Sequence, residues 1–232
     1  MNKIDKLKLL LGGLILTGIV YAIANLCGHY WNLDCSFLAK TFPTHITMLV
    51  LSLGLIYLLK DRLGYRLAWP KFKQIWGPMG YGLLAAFVTN ITLGILSLLL
   101  GATAEKHPAI EDLTVLQYLV FIIILAPIAE EHLFRGFLQN YLKPLSDKGF
   151  SLFRWRITFP VLVSAIAFSL AHLILLASGV SGLFMTRVLV FTFVLGLIAG
   201  YYQEKHDNIA YAILVHAAGN ILGLISIILT AG

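Results

Sequence analysis

Seven apolar runs follow one another along the chain, at about residues 7–26, 44–60, 76–100, 116–141, 157–177, 183–202 and 208–230. Each is close to the ~20 residues a helix needs to cross a bilayer. Hydrocarbon offers no partners to backbone N–H and C=O groups, so such runs must satisfy their hydrogen bonds internally. Only 12% of the residues are charged and the mean hydropathy is +0.87, whereas about a quarter of a soluble domain is charged. The expected fold is all-α: a polytopic membrane helix bundle of about seven transmembrane helices, forming one integral membrane domain over residues 1–232. No internal repeat or long linker divides it.

The charges sit mostly in short loops between the runs. Lys3, Lys6, Lys8, the stretch from Lys60 to Lys73, the stretch from Lys143 to Arg156, and Lys205 supply thirteen of the seventeen Lys and Arg residues. They all fall on one side, which places the N-terminus in the cytoplasm and the C-terminus outside. A net charge of +6 and a pI near 9.3 are thereby explained as orientation signals, and nucleic acid is not an expected partner. The loop Lys60–Lys73 interleaves basic and aromatic residues, as an interfacial segment does. The run from Leu7 to Leu26 is too long for a signal-peptide core and lacks a small-residue cleavage site, so it reads as a retained first span. Cys27 and Cys35 share the first loop. A disulfide is open to them if that loop is extracytoplasmic, and two unpaired thiols are the alternative.

Against this apolar background one stretch stands out, Ala126-Pro-Ile-Ala-Glu-Glu-His-Leu-Phe-Arg-Gly-Phe137. A charge at bilayer depth costs about 2.5–3.5 kcal/mol even on lenient insertion scales, so intramembrane ionisable groups are functional candidates. Glu131 and Arg135 are four apart and share a helix face. Glu130 is rotated by ~100° from Glu131, so one carboxylate can be neutralised while the other points elsewhere. The fifth run carries Phe168 and His172 at the same i,i+4 spacing, and the seventh carries His216 and Asn220. Ala217, Ala218 and Gly219 between them allow close helix approach. His132 reads as part of the polar face. Asn90, in the third run, reads as helix–helix glue.

The ordered set Glu130-Glu131-x-x-x-Arg135, Phe168-x-x-x-His172 and His216-x-x-x-Asn220 resembles the CAAX-protease and bacteriocin-processing family of intramembrane proteases, related to the type II CAAX prenyl endopeptidase. The resemblance covers about residues 115–225, a protease-like core; the first three runs carry none of its motifs. It implies an endopeptidase that hydrolyses a peptide bond near the membrane. Glu130 and His172 would activate the water, His216 and Asn220 would donate to the oxyanion, and Glu131, Arg135 and Phe168 would support the site. The substrate would be a peptide or lipid-modified peptide, such as a bacteriocin or pheromone precursor. Catalysis without metal and catalysis with a divalent ion such as zinc both remain open, the ligands in the second case being Glu130, His172 and His216. A non-catalytic immunity or peptide-binding protein is the alternative function. A proton-relay transporter is disfavoured by the lack of repeat symmetry. The enzyme reading expects Glu130, His172, His216 and Asn220 to line one cavity, open toward the cytoplasmic side.

Overall fold

The computed structural model describes residues 2–31, 34–101, 105, 107–110 and 112–230, without the side chains of residues 226, 227, 229 and 230. Seven long helices cross it in alternating directions. They are α1 (Lys3–Tyr30), α2 (Phe42–Leu58), α3 (Trp76–Leu99), α4 (Val115–Gln139), α5 (Phe159–Ser178), α6 (Gly182–His206) and α7 (Ala210–Thr230). Five of them (α1, α3, α4, α5 and α6) are long and apolar enough to cross a membrane; α2 and the described part of α7 are shorter apolar helices. The chain is an all-α membrane protein.

The helix starts follow from local chemistry. Asn2 Oδ1 accepts from Asp5 N at 2.8 Å, Thr158 and Ser181 cap α5 and α6, and Thr114 forms a reciprocal capping box with Gln117. Pro43 and Pro160 stand in the first turn of their helices, where a missing N–H costs nothing. At the far end of α6, Asp207 adopts the left-handed conformation at φ 46°.

One element departs from the expected all-helical pattern. Gly149–Leu152 and Trp155–Thr158 form a small antiparallel hairpin, β1 and β2, with Gly149 opposite Thr158. The fifth apolar run begins at residue 157, but Ile157 and Thr158 finish a strand and the helix begins at Phe159. The run takes in only the second half of the strand, Ile157-Thr158; Trp155 and Arg156 lie in the basic stretch before it. Trp155 fixes the hairpin by stacking on Tyr201 of α6, with centroids 4.6 Å apart.

Two crossings bring the site helices together. An added Cβ at Gly82 of α3 would run into Val215 O of α7, the residue before His216. Likewise a Cβ at Gly219 would stand 2.7 Å from Leu195 Cδ1 of α6, so the small stretch 217–219 does admit a close neighbour. Phe134, Phe137, Phe168, Met48 and Ala24 belong to one buried cluster that joins α1 and α2 to α4 and α5. The loop after α2 is tied to the start of α7 through Ala68 and Asn208. Trp69 is 97% exposed and Phe72 72%, as an interfacial segment requires. Cys27 and Cys35 are unpaired thiols.

Candidate active site

Helix α4 is not a uniform α-helix. Residues 118–125 and 132–139 are wound as π-helix on either side of an α-helical Ala126–Glu131. Such wide turns are rare and concentrate at functional sites. Here the sequence supplies a reason. Ala126 N–H bonds to Phe121 O, five residues back, so the N–H that would follow on to Ile122 O belongs to residue 127. Residue 127 is proline and has none. The carbonyl of Ile122 is instead satisfied from another helix, by Asn220 Nδ2 at 2.9 Å. The hydroxyl of Tyr118 returns the contact by donating to Asn220 O at 2.8 Å.

The two adjacent glutamates divide as their rotation about the helix predicts. The side chain of Glu131 is 1% exposed and that of Glu130 16%, so Glu130 alone faces open space. Glu131 Oε1 accepts from Arg135 Nη1 at 2.9 Å and from His216 Nδ1 at 2.8 Å. Arg135 is fully buried. Its Nη2 donates to Gly196 O at 3.1 Å and its guanidinium lies over the Phe168 ring, 4.6 Å from the centroid. The pair expected to be a folding contact within α4 is therefore also the anchor of the α7 histidine. Sequence spacing could not show this, because the third member comes from 85 residues away.

Glu130 Oε2 is buried with no hydrogen-bond partner and lies 3.8 Å from His216 Nε2. His172 stands where α5 tightens into a 3-10 turn, and its Nδ1 is 2.9 Å from Phe168 O. A carbonyl can only accept, so Nδ1 carries the proton and Nε2 is left with a free lone pair. Tyr21 of α1 donates to Ala171 O at 2.5 Å and pins the turn that holds His172. Phe168 packs edge-on against both His172 and His216, at 5.0 and 5.4 Å between centroids.

Glu130, His172, His216 and Asn220 line one cavity of about 980 Å³. Asn90, read as glue, lines it too, although its Nδ2 also bonds within its own helix to Ala86 O. His132 does not belong to this group. Its Nδ1 is 2.6 Å from Ile128 O and its Nε2 3.0 Å from the hydroxyl of Tyr65. Sequence reasoning missed His45 of α2, whose Nε2 is 3.3 Å from Glu130 Oε1. It is the second residue of the apolar run 44–60, and a search confined to mid-span residues passes over it.

The fold places the cavity toward one end of the bundle. The cavity is lined by Thr41 and Thr44 at the start of α2, by Glu105, His107 and Leu113 between α3 and α4, and by Arg187 near the start of α6. All of these lie at the end of the bundle opposite the basic loops. His172 at the C-terminal end of the α-helical part of α5 and His45 at the beginning of α2 set that depth.

Among the described residues no three His, Cys, Asp or Glu side chains are placed to hold an ion. Glu131 takes His216 Nδ1 and His45 takes one oxygen of Glu130, so Glu130 Oε2, His172 Nε2 and His216 Nε2 are the atoms that a metal would have to use.

Residues 112–222 match the family described as type II CAAX prenyl endopeptidase Rce1-like. That segment, 111 of the chain's 232 residues, is similar to this family. The family is one of proteases, and its matched segment contains every motif residue named above, from Glu130 to Asn220, on α4, α5 and α7. No curated protein and no solved structure matches the chain.

Proposed function

We propose that this Rce1-like chain is an intramembrane endopeptidase in which Glu130 is the general base. The observation that supports this most is Glu130 Oε2, a buried carboxylate oxygen without a partner, at the wall of a cavity shared with His172, His216 and Asn220. A water between Oε2 and the free lone pair of His172 Nε2 would lose a proton to Glu130 as its oxygen attacks the peptide carbonyl carbon. The negative charge moves to the carbonyl oxygen. Asn220 has a second N–H besides the one given to Ile122, and His216 presents Nε2, which donates to that oxyanion when it carries its proton. As the C–N bond breaks, Glu130 returns the proton to the leaving nitrogen.

The cavity wall combines these polar groups with Met48, Phe134, Phe184, Phe191 and Leu195, a surface suited to an apolar or lipid-modified peptide. With the basic loops in the cytoplasm, the site faces the outer half of the bilayer. On that orientation the cavity is not open to the cytoplasmic side, and the catalytic reading rests on the shared cavity.

The test is cleavage of a quenched fluorescent peptide bearing a prenylated cysteine three residues before its C-terminus, the tail that the name of the matched family implies. Glu130→Gln should lower the rate by about 10²–10⁴-fold without changing the unfolding midpoint in detergent. A folded Glu130→Gln protein that cleaves the peptide like wild type would end this reading.

A further inference from the structure

We infer that His45, on a helix outside the family segment, is a positioning residue that holds Glu130 in register as the base. This rests on the assignment of Glu130 proposed above. The two glutamates are anchored unequally. Glu131 has Arg135 and His216 within 2.9 Å. Among the described residues, the ion-pairing groups near Glu130 are imidazoles: His45 Nε2 at 3.3 Å from Oε1 and His216 Nε2 at 3.8 Å from Oε2.

A carboxylate works as a base through one oxygen, and rotation about its last bond exchanges the two. Holding Oε1 from one side therefore presents Oε2 to the cavity. Contacts of this kind are often long without substrate and shorten when it binds.

The contrast with the other buried histidines supports the assignment. His132 and His172 each place Nδ1 against a carbonyl one turn back in their own helix, which fixes them locally. His45 is 8% exposed, and its Nδ1 is buried with no partner. Its one polar side-chain contact among the described residues is thus Glu130. Since Oε1 can only accept, Nε2 must carry a proton, and the neutral ring then leaves a bare lone pair at Nδ1. A buried histidine kept in this condition at the wall of the Glu130 cavity is not serving as helix–helix glue. The first-turn position matters as well. His45 N–H bonds to Thr41 O at 3.1 Å, so the ring projects from the rigid start of α2, at the depth of His172.

The experiment uses the full-length protein in detergent with the prenylated peptide probe and three variants, His45→Phe, His45→Gln and Glu130→Gln. Gln carries an amide N–H near the place of Nε2, whereas Phe keeps the ring volume alone. His45→Phe should lower kcat about 10–100-fold, with KM and the unfolding midpoint unchanged, and His45→Gln should recover most of the loss. An unchanged kcat, a change in KM alone, or a folded Gln variant no better than Phe overturns the inference. Infrared spectroscopy supplies a second arm, free of substrate. The carboxylate band that vanishes in Glu130→Gln should shift in His45→Phe and return in His45→Gln; a band indifferent to residue 45 also overturns it. If wild type leaves the probe intact, the hydrolytic reading fails on its own, and the infrared arm still decides whether His45 holds Glu130.

Discussion

His216 Nδ1 lies 2.8 Å from Oε1 of Glu131, the oxygen that Arg135 also holds. The structural and chemical halves of the site therefore meet in one atom. Removing the charge at Glu131 strands a fully buried guanidinium and frees the His216 ring together. Breaking one partner of a buried pair typically costs about 3–5 kcal/mol. Glu131→Gln should lower the unfolding free energy by that order and abolish cleavage, while Glu130→Gln should cost only activity. Thermal unfolding in detergent, run beside the peptide assay, separates the two glutamates.

Asn220 has two tasks that can be pulled apart. It satisfies the Ile122 carbonyl that Pro127 leaves without an N–H, a contact worth about 0.6–2 kcal/mol by analogy with other interhelical hydrogen bonds in membranes. It is also the proposed oxyanion donor. Pro127→Ala restores a backbone N–H. In that background Asn220→Ala should lose less stability than it does alone, yet still lose about 10²–10³-fold in rate. A double-mutant cycle on stability, with rates measured on the same four proteins, checks both parts.

Acid should loosen the rim of the cavity through His107. Burial is the main cause that pushes this histidine down from 6.5 to about 4, and its Nδ1 accepts from Ala109 N at 3.1 Å, which only the unprotonated nitrogen can do. Between those two values the unfolded segment binds more protons than the folded one. Stability is therefore present above 6.5 and is lost as the pH falls toward 4. Amide exchange at Ala109 and Ile110, corrected for its intrinsic pH dependence, should rise between pH 7 and pH 5. His107→Phe should flatten the response.

Cys35 offers a test of orientation. It is an exposed free thiol between α1 and α2, at the end of the bundle away from the basic loops. In a Cys27→Ser background, a membrane-impermeant maleimide should label Cys35 in intact cells without permeabilisation. Labelling only after permeabilisation would place the basic loops, and with them the far wall of the cavity, the other way round.

Much of this protein is legible in its sequence, because hydrocarbon enforces simple rules. Runs of about 20 apolar residues must be helices, and the seven long helices follow the seven runs, apart from the hairpin at Gly149–Thr158, whose last residues Ile157 and Thr158 fall in the fifth run. Helical periodicity alone separates Glu130 from Glu131 and pairs Glu131 with Arg135. The ordered polar residues on α4, α5 and α7 identify the family segment. Depth and convergence were decided only by the tertiary structure, since both depend on how helices far apart in sequence slide and rotate against one another. Close approach at Gly82 and Gly219 seats α7 so that His216 reaches Glu131 and Asn220 reaches Ile122. The packing of α2 brings His45 to Glu130. The same packing puts the cavity at the end away from the basic loops, a choice that no spacing within a single helix can encode.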